Sequence, residues 1–291
     1  MSKDALQRFV FEQADIRGAV VTLEKEFAEM TSSQVYSEGE KYLLGEFAAA
    51  VVLLVNQLKF EGTLALQVRQ GASVGLIVVE CSDQYTFRGT IHDAVENLKP
   101  AAALDQVCDG GILSMTISPS EGHSYQGIVP LQGSDLAECL MAYFQQSEQL
   151  PSWFRFAISE KKAVGIMLQA LPPQICCEPE ETTENWDRAV HLASTLTQEE
   201  MLNLDHEEVL YRLYHEESVQ LFPIQPVQYH CQCSIERMER GLLTLGPEEL
   251  EEIIEDQANI TTQCHFCGKT YHFSDTHIRA LIQGAGPYSS H

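Results

Sequence analysis

Cys231-Gln232-Cys233 and Cys264-His265-Phe266-Cys267-Gly268 set four of the nine cysteines in two tight pairs, C-x-C and C-x-x-C, with thirty residues between them. Zinc takes four soft ligands at tetrahedral corners, with Zn–S near ~2.3 Å, and four thiolates fill a closed structural site. The C-x-x-C-G half suits a metal knuckle, because the turn lets backbone amides face the sulfurs while glycine takes the left-handed position. C-x-C is rarer. It makes a compact chelate, and a disulfide across it would close a small, strained ring of the labile kind found in regulatory bonds. The simpler reading of the same spacing is a purely structural zinc ribbon.

Outward from the cysteines, composition narrows the class. The 291 residues allow one large domain or two, and 44% hydrophobic content is ordinary for a globular chain. The start, Met1-Ser2-Lys3-Asp4 followed by Arg8 and Glu12, holds no uninterrupted apolar run, so no secretory signal is expected. The run from Phe47 to Val55 is too short to span a bilayer and reads as a buried helix. Clustered cysteines without a signal sequence point to a reducing cytoplasm, where they are more often metal-binding or catalytic than bridged. The net charge is −24, and residues 178–257 alone carry 20 acidic against 4 basic side chains. Phosphate contacts need Lys and Arg, so nucleic acid is not an expected partner despite the ribbon-like cysteines.

Along the chain, the first ~170 residues read as one α/β domain. Ala19–Leu23 is a short strand, and Leu43–Leu58 is apolar nearly all round, as a core helix is. Leu64–Arg69 and Val74–Cys81 alternate as a strand pair around Gly71, and Gly110–Ser118 with Tyr125–Leu131 form a hairpin. Ser134–Gln149 reads as a helix, and Phe154–Leu171 as two more strands. Pro172-Pro173 and Pro179 then mark a boundary. Beyond it lie acidic helices with narrow apolar stripes. Thr197-x-x-Glu200 is a capping-box pattern, and Asp205 can cap a further helix. Such short helices must gain stability by packing on the first domain, against their own charge repulsion.

In the cysteine region, Ser234 can cap a helix to Leu243, and Gly246-Pro247 opens another. Thr261–Cys264 and Lys269–Phe273 should pair around the knuckle, with Ser274 capping a last helix to about Ile282. So few large apolar side chains cannot hold a core unaided, so zinc should supply much of the folding free energy, typically ~10–16 kcal/mol in small peptides.

Other chemistry finds little support. No P-loop, dinucleotide fingerprint or H-E-x-x-H occurs. Ser159-x-x-Lys162 matches an acyl-serine pattern but stands between strands without partner motifs. Cys81, Cys108 and Cys139 sit in apolar surroundings as small hydrophobes, and Cys176-Cys177 reads as an incidental exposed pair. His230, His265 and His272 flank the cysteines and could replace a ligand, although four thiolates suffice. A thioredoxin-like enzyme would want C-x-x-C at the start of a helix, whereas Cys264–Cys267 lies between strands.

Cys231-x-Cys233-Ser234-x-Glu236-Arg237, followed by Cys264-x-Phe266-Cys267-x-x-x-Tyr271-x-Phe273, resembles the redox-regulated 33 kDa heat-shock chaperones of bacteria. LLGE at Leu43–Glu46, LKFEG at 58–62, YQGIV at Tyr125–Val129 and LAECLMAYFQQSEQLP at Leu136–Pro151 are similar to that family too, so the resemblance covers nearly the whole chain. Departures stand at Glu255-Asp256-Gln257, where a glycine is expected, and at Gly71-Ala72-Ser73, where the family tends to a glycine- and proline-rich turn. The resemblance implies an α+β protein: an N-terminal α/β core domain over 1–173, an acidic helical linker over 174–226 and a zinc-binding redox-switch domain over 227–291. It implies Zn2+ on Cys231, Cys233, Cys264 and Cys267 in an inactive reduced state. Oxidation would then form the disulfides Cys231–Cys233 and Cys264–Cys267, release zinc, unfold the small domain and detach the linker. The function implied is an ATP-independent, non-enzymic holdase in the cytoplasm that binds unfolded or aggregating proteins, dimeric when active, with neither nucleic acid nor membrane as partner. The rival reading is a zinc-ribbon adaptor that binds a protein partner constitutively.

Overall fold

The apolar stretch in the first half of the chain becomes the central helix of the fold, Glu38–Val55, nearly every residue of it buried from Leu43 onward. Ser37 opens it with a full capping box, its hydroxyl accepting from the Glu40 amide while the Glu40 carboxylate accepts from the Ser37 amide. The computed structural model describes residues 4–57, 61–95, 98–100, 102, 104–131, 133–175, 178–257 and 259–284. Cys176, Cys177 and part of the 58–62 stretch therefore lie outside the described residues. The chain divides into two compact units, Met1–His230 and Cys231–His291.

In chain order the first unit comprises β1 (Ala5–Phe11), β2 (Ile16–Leu23), α1 (Lys25–Ser32), α2 (Glu38–Val55), β3 (Gly62–Arg69), β4 (Val74–Ser82) and β5 (Thr86–Ala94). It continues with α3 (Leu104–Val107), β6 (Ile112–Pro119), β7 (Tyr125–Val129), α4 (Leu136–Tyr143), β8 (Ser152–Ile158) and β9 (Ala163–Ala170). The acidic helices are α5 (Pro179–Ser194), α6 (Gln198–Asn203) and α7 (His206–Tyr214), followed by the short strands β10 (Val219–Leu221), β11 (Gln225–Pro226) and β12 (Gln228–Tyr229). One sheet runs β10-β1-β2-β9-β8, with β11 also pairing β1; the other runs β12-β5-β4-β3-β6-β7. Every ladder is antiparallel except β12 on β5, so the mixture is α+β.

Helix α2 packs against β2, β8 and β9 of the first sheet and against β3, β4 and β5 of the second. That placement accounts for its lack of a polar face. At Gly45 an added Cβ would lie 2.8 Å from Cγ2 of Ile158, so the closeness of helix and sheet depends on glycine there. The expected single helix over Ser134–Gln149 is shorter. Asp135 caps α4, and its last turn widens into a π turn, Phe144–Glu148, where Gln149 takes φ +56 and donates to the Phe144 carbonyl. This keeps the Phe144 ring buried against Phe154, 5.8 Å between centroids, before Pro151 turns the chain into β8.

Residues 174–226, expected as a linker, lie within the first compact unit. The expected capping box forms at Thr197 with Glu200, and Asp205 caps its helix as expected and completes a second box with Glu208. Ala189, Ala193, Leu196, Met201, Val209, Leu213 and Tyr214 bury themselves against Phe9, Phe11, Val20, Ile166 and Leu168. The acidic helices thus cover one face of the first sheet while α2 covers the other. Asp15 fixes the approach to them, its carboxylate accepting from the amides of Gln174 and Ile175 at 2.9 Å. His206 is buried at the start of α7, 3.0 Å from the Thr22 hydroxyl. Burial pushes its pKa down to about 4, with Asp205 opposing and Lys162 assisting.

The second unit holds α8 (Ile235–Leu243), α9 (Pro247–Asp256), the hairpin β13 (Asn259–Gln263) and β14 (Thr270–Ser274), and α10 (Asp275–Ile282). Its apolar core is small, centred on Leu250, Ile254, Tyr271, Phe273 and Ile278. Among the described residues no helix is long and apolar enough to cross a membrane.

Candidate metal centre

Each half of the site is positioned by local chemistry. Cys231 and Cys233 stand directly before α8, whose first turn is capped by Ser234 accepting from the Arg237 amide. Cys264 and Cys267 occupy the turn between β13 and β14. There the Cys264 amide donates to the Lys269 carbonyl at 2.9 Å and the Gly268 amide to the Cys264 carbonyl at 2.8 Å. Gly268 has φ +68, the left-handed conformation that the knuckle requires.

The four sulfurs converge, all within 4.8 Å of one another. Cys231 Sγ is 3.6 Å from Cys264 Sγ, and Cys233 Sγ is 3.4 Å from Cys267 Sγ. These separations are far beyond the ~2.05 Å of a disulfide, and all four cysteines are free. Cys264 is buried and the other three are half-buried. Such a group can hold a metal ion.

The thiols differ in their electrostatics. Burial raises the pKa of Cys231, and burial likewise raises that of Cys267. Burial acts in the same direction on Cys233, but hydrogen bonds from the Tyr271 hydroxyl and then from the neighbouring sulfurs outweigh it, and its pKa falls. Tyr271 Oη donates to Cys233 Sγ at 3.1 Å, so one thiolate in the set is favoured before any metal arrives. A second polar anchor ties α8 to α10: buried Glu239 Oε1 lies 2.6 Å from His277 Nε2. The role of Tyr271 was not assigned from sequence. The local signals are its place in the motif after Cys267 and the alternation in TYHFS that turns Tyr271 and Phe273 to one face of β14.

The other candidates lie elsewhere. His230, His265 and His272 are exposed and stand outside the four-sulfur group. Cys81, Cys108 and Cys139 are fully buried in the core of the first unit, where burial raises the thiol pKa of Cys81 and brings that of Cys108 to about 12. Ser159 and Lys162 build a turn: the Lys162 amide donates to Ser159 Oγ, and Lys162 Nζ donates to the Leu202 carbonyl at 2.6 Å.

The family whose model matches this chain is described as Hsp33 protein, over residues 4–274. The 33 kDa chaperonins of Pseudomonas aeruginosa (strain UCBPP-PA14) and Pseudomonas syringae pv. tomato are 42% and 43% identical over 284 residues, covering 97% of this chain and 96% and 95% of theirs. The crystal structure of the 33 kDa chaperonin from Thermotoga maritima matches with a TM-score of 0.81, covering 97% of this chain and 99% of that one. At 20% identity that likeness speaks for the fold alone. The family model and the close relatives both match over nearly the whole length, a span that takes in both cysteine pairs of this chain, and the chain belongs to the Hsp33 family of chaperones.

Proposed function

We propose that this chain is a redox-regulated, ATP-independent holdase rather than an enzyme, acting in the cytoplasm on unfolded or aggregating proteins and dimeric when active. The observation that carries the reading is the convergence of four free sulfurs within 4.8 Å. Tetrahedral thiolates ~2.3 Å from zinc lie about 3.8 Å apart, and the 3.4 and 3.6 Å separations here accord with that edge. Cys231, Cys233, Cys264 and Cys267 would hold Zn2+, which when bound cross-links the segment before α8 to the β13–β14 turn and adds folding free energy to a unit with a small core.

Oxidation turns the ligands into bonds. Each pair, Cys231 with Cys233 and Cys264 with Cys267, would give two electrons to one peroxide. The two sulfurs join, the peroxide O–O bond breaks, and its two oxygens leave as water, taking up two protons from solvent because the metal-held sulfurs are thiolates. A disulfide removes two thiolates from the set, so the chain loses its hold on the metal and the second unit unfolds. That leaves β12, two residues long, without a folded segment after it. The six-residue α6 and nine-residue α7 are too short to persist away from the sheet. Their departure would uncover Phe9, Val20, Ile166 and Leu168 together with their own apolar stripes, a surface suited to non-native chains. The charge of −24 supports solubility of such complexes and disfavours nucleic acid.

The test is light scattering from a heat-denaturing client, with reduced and peroxide-treated protein, no nucleotide, and released zinc measured in parallel. Suppression only after oxidation, reversed by reductant, is expected. Equal suppression by both forms would favour the constitutive adaptor instead, and none by either would remove the holdase reading.

A further inference from the structure

Glu46 lies in the middle of α2 at 8% exposure, and its carboxyl meets no hydrogen-bond donor among the described residues. One turn earlier on the same face, the Tyr42 hydroxyl is likewise without a partner. Both open into a cleft of about 520 Å³ where α2, the start of α4, the outer strand β8 and the end of α5 come together. Trp153 and Phe156 supply aromatic wall, and Asp135 and Glu138 add two carboxylates. Among the described residues Arg155 is the one cation in the lining, and its guanidinium already donates to the Ser194 carbonyl at 2.9 Å.

We propose that this cleft binds a primary ammonium carried on an alkyl stem, either a free amine or the side chain of a lysine. An ammonium brings three donors and no acceptor, which suits the open Glu46 carboxyl, the Tyr42 oxygen and the Asp135 carboxylate. Its methylenes match the aromatic wall, and a cation beside Trp gains from the ring face. The volume falls within the usual ~300–1,000 Å³ of small-molecule sites. An anion is disfavoured although α4 begins here, because Asp135 and Glu138 already occupy that helix end: Asp135 accepts the Glu138 amide at 2.8 Å, and Glu138 the Ser134 amide at 2.6 Å. Proton linkage agrees. Burial, then Asp135, raises the Glu46 pKa to about 8, and Tyr42, Glu138 and Arg155 are the other ionisable groups facing the cleft. Occupation by a cation draws that proton off. The site is separate from the sulfur cluster and does not rest on the redox reading.

The test uses reduced full-length protein carrying Trp186→Phe, which leaves Trp153 as the sole indole of the chain's two. Butylammonium should change Trp153 fluorescence saturably, while butanol and butyrate should not. Glu46→Gln should weaken binding about ten- to a hundredfold. Should that variant fold poorly, calorimetry of the unmutated Glu46 protein in two buffers at pH 7 decides, with release of about one proton per amine expected. Comparing Nα-acetyl-lysine amide and a lysine peptide with butylammonium distinguishes the sources: tighter binding of the peptide assigns a protein lysine, tighter binding of butylammonium a free amine. Butyrate binding as well as butylammonium, or amine binding with no proton released, would overturn the proposal.

Discussion

Acidification from pH 7.5 to 5 should loosen the acidic helices through a single side chain, His206. It is buried between α7 and the first sheet, with Thr22 facing it from β2, Lys162 from the β8–β9 turn and Asp205 from its own cap. Burial holds its pKa at about 4, against 6.5 when unfolded. Because the folded value is the lower one, the docked state binds fewer protons than the released state between these limits. The stability of docking is therefore intact above pH 6.5 and is lost as pH falls toward 4. At 1.36 kcal/mol per unit the full loss is about 3 kcal/mol. About 2 kcal/mol of it, roughly thirtyfold in the opening equilibrium, accrues between pH 7.5 and 5. The assay is native-state hydrogen exchange over residues 179–214, corrected for intrinsic rate, in the parent and in His206→Gln, which can still hydrogen-bond Thr22 but does not titrate. Protection in the parent should fall roughly thirtyfold more than in the variant. The same pH slope in both proteins would refute the reasoning.

Chelating the metal under reducing conditions should abolish exchange protection in residues 231–284 while α2 and the strands around it keep theirs; uniform retention would show that metal is not the staple of the second unit. Tyr271→Phe removes the hydroxyl donor to Cys233 and should raise the zinc dissociation constant about tenfold in competition with a chromophoric chelator. Tyr214→Phe removes the bond from a buried hydroxyl to the Ala189 carbonyl that ties α7 to α5. It should cost about 1 kcal/mol, read as a lower melting temperature and as chaperone activity appearing at shorter peroxide exposure.

What the chain disclosed in advance depended on how local each signal was. The capping box at Thr197, the cap at Asp205 and the all-apolar stretch of α2 each carry their meaning within a few residues and appear as expected, and the four cysteines of the two pairs lie close together. Strands β1 and β5 were not recognised, because polar residues interrupt their alternation. Gln7 in β1 is buried and donates to the Phe222 carbonyl, and Arg88 in β5 pairs with Glu80 across the ladder at 2.7 Å. Their partners are distant in sequence or set by register, so propensity alone reads them as loop. Strands β10 to β12 are too short to show any period and exist only as additions to β1 and β5. The apolar stripes of the acidic helices were legible, but the sheet face they cover was not. In the candidate centre, the convergence of the sulfurs follows from spacing, whereas the Tyr271 contact follows from how β13 and β14 align.

The pairing of β1 with β10 and β11 also sets a timetable for synthesis. Gln7 and Phe222, which meet across that edge, are 215 residues apart. At about 5–20 residues per second a ribosome needs roughly 10–40 s to make that interval. Through all of it the outer backbone groups of β1 face solvent in a nascent chain, although β2 can already pair with the inner side. An open, apolar strand edge invites neighbouring polysomal chains to add to it. Arg8, at the middle of ALQRFVF, is the charge that interrupts that edge while it waits. In the finished protein the same guanidinium lies 5.3 Å from the ring centroid of Phe222, beside the segment that closes the edge at last.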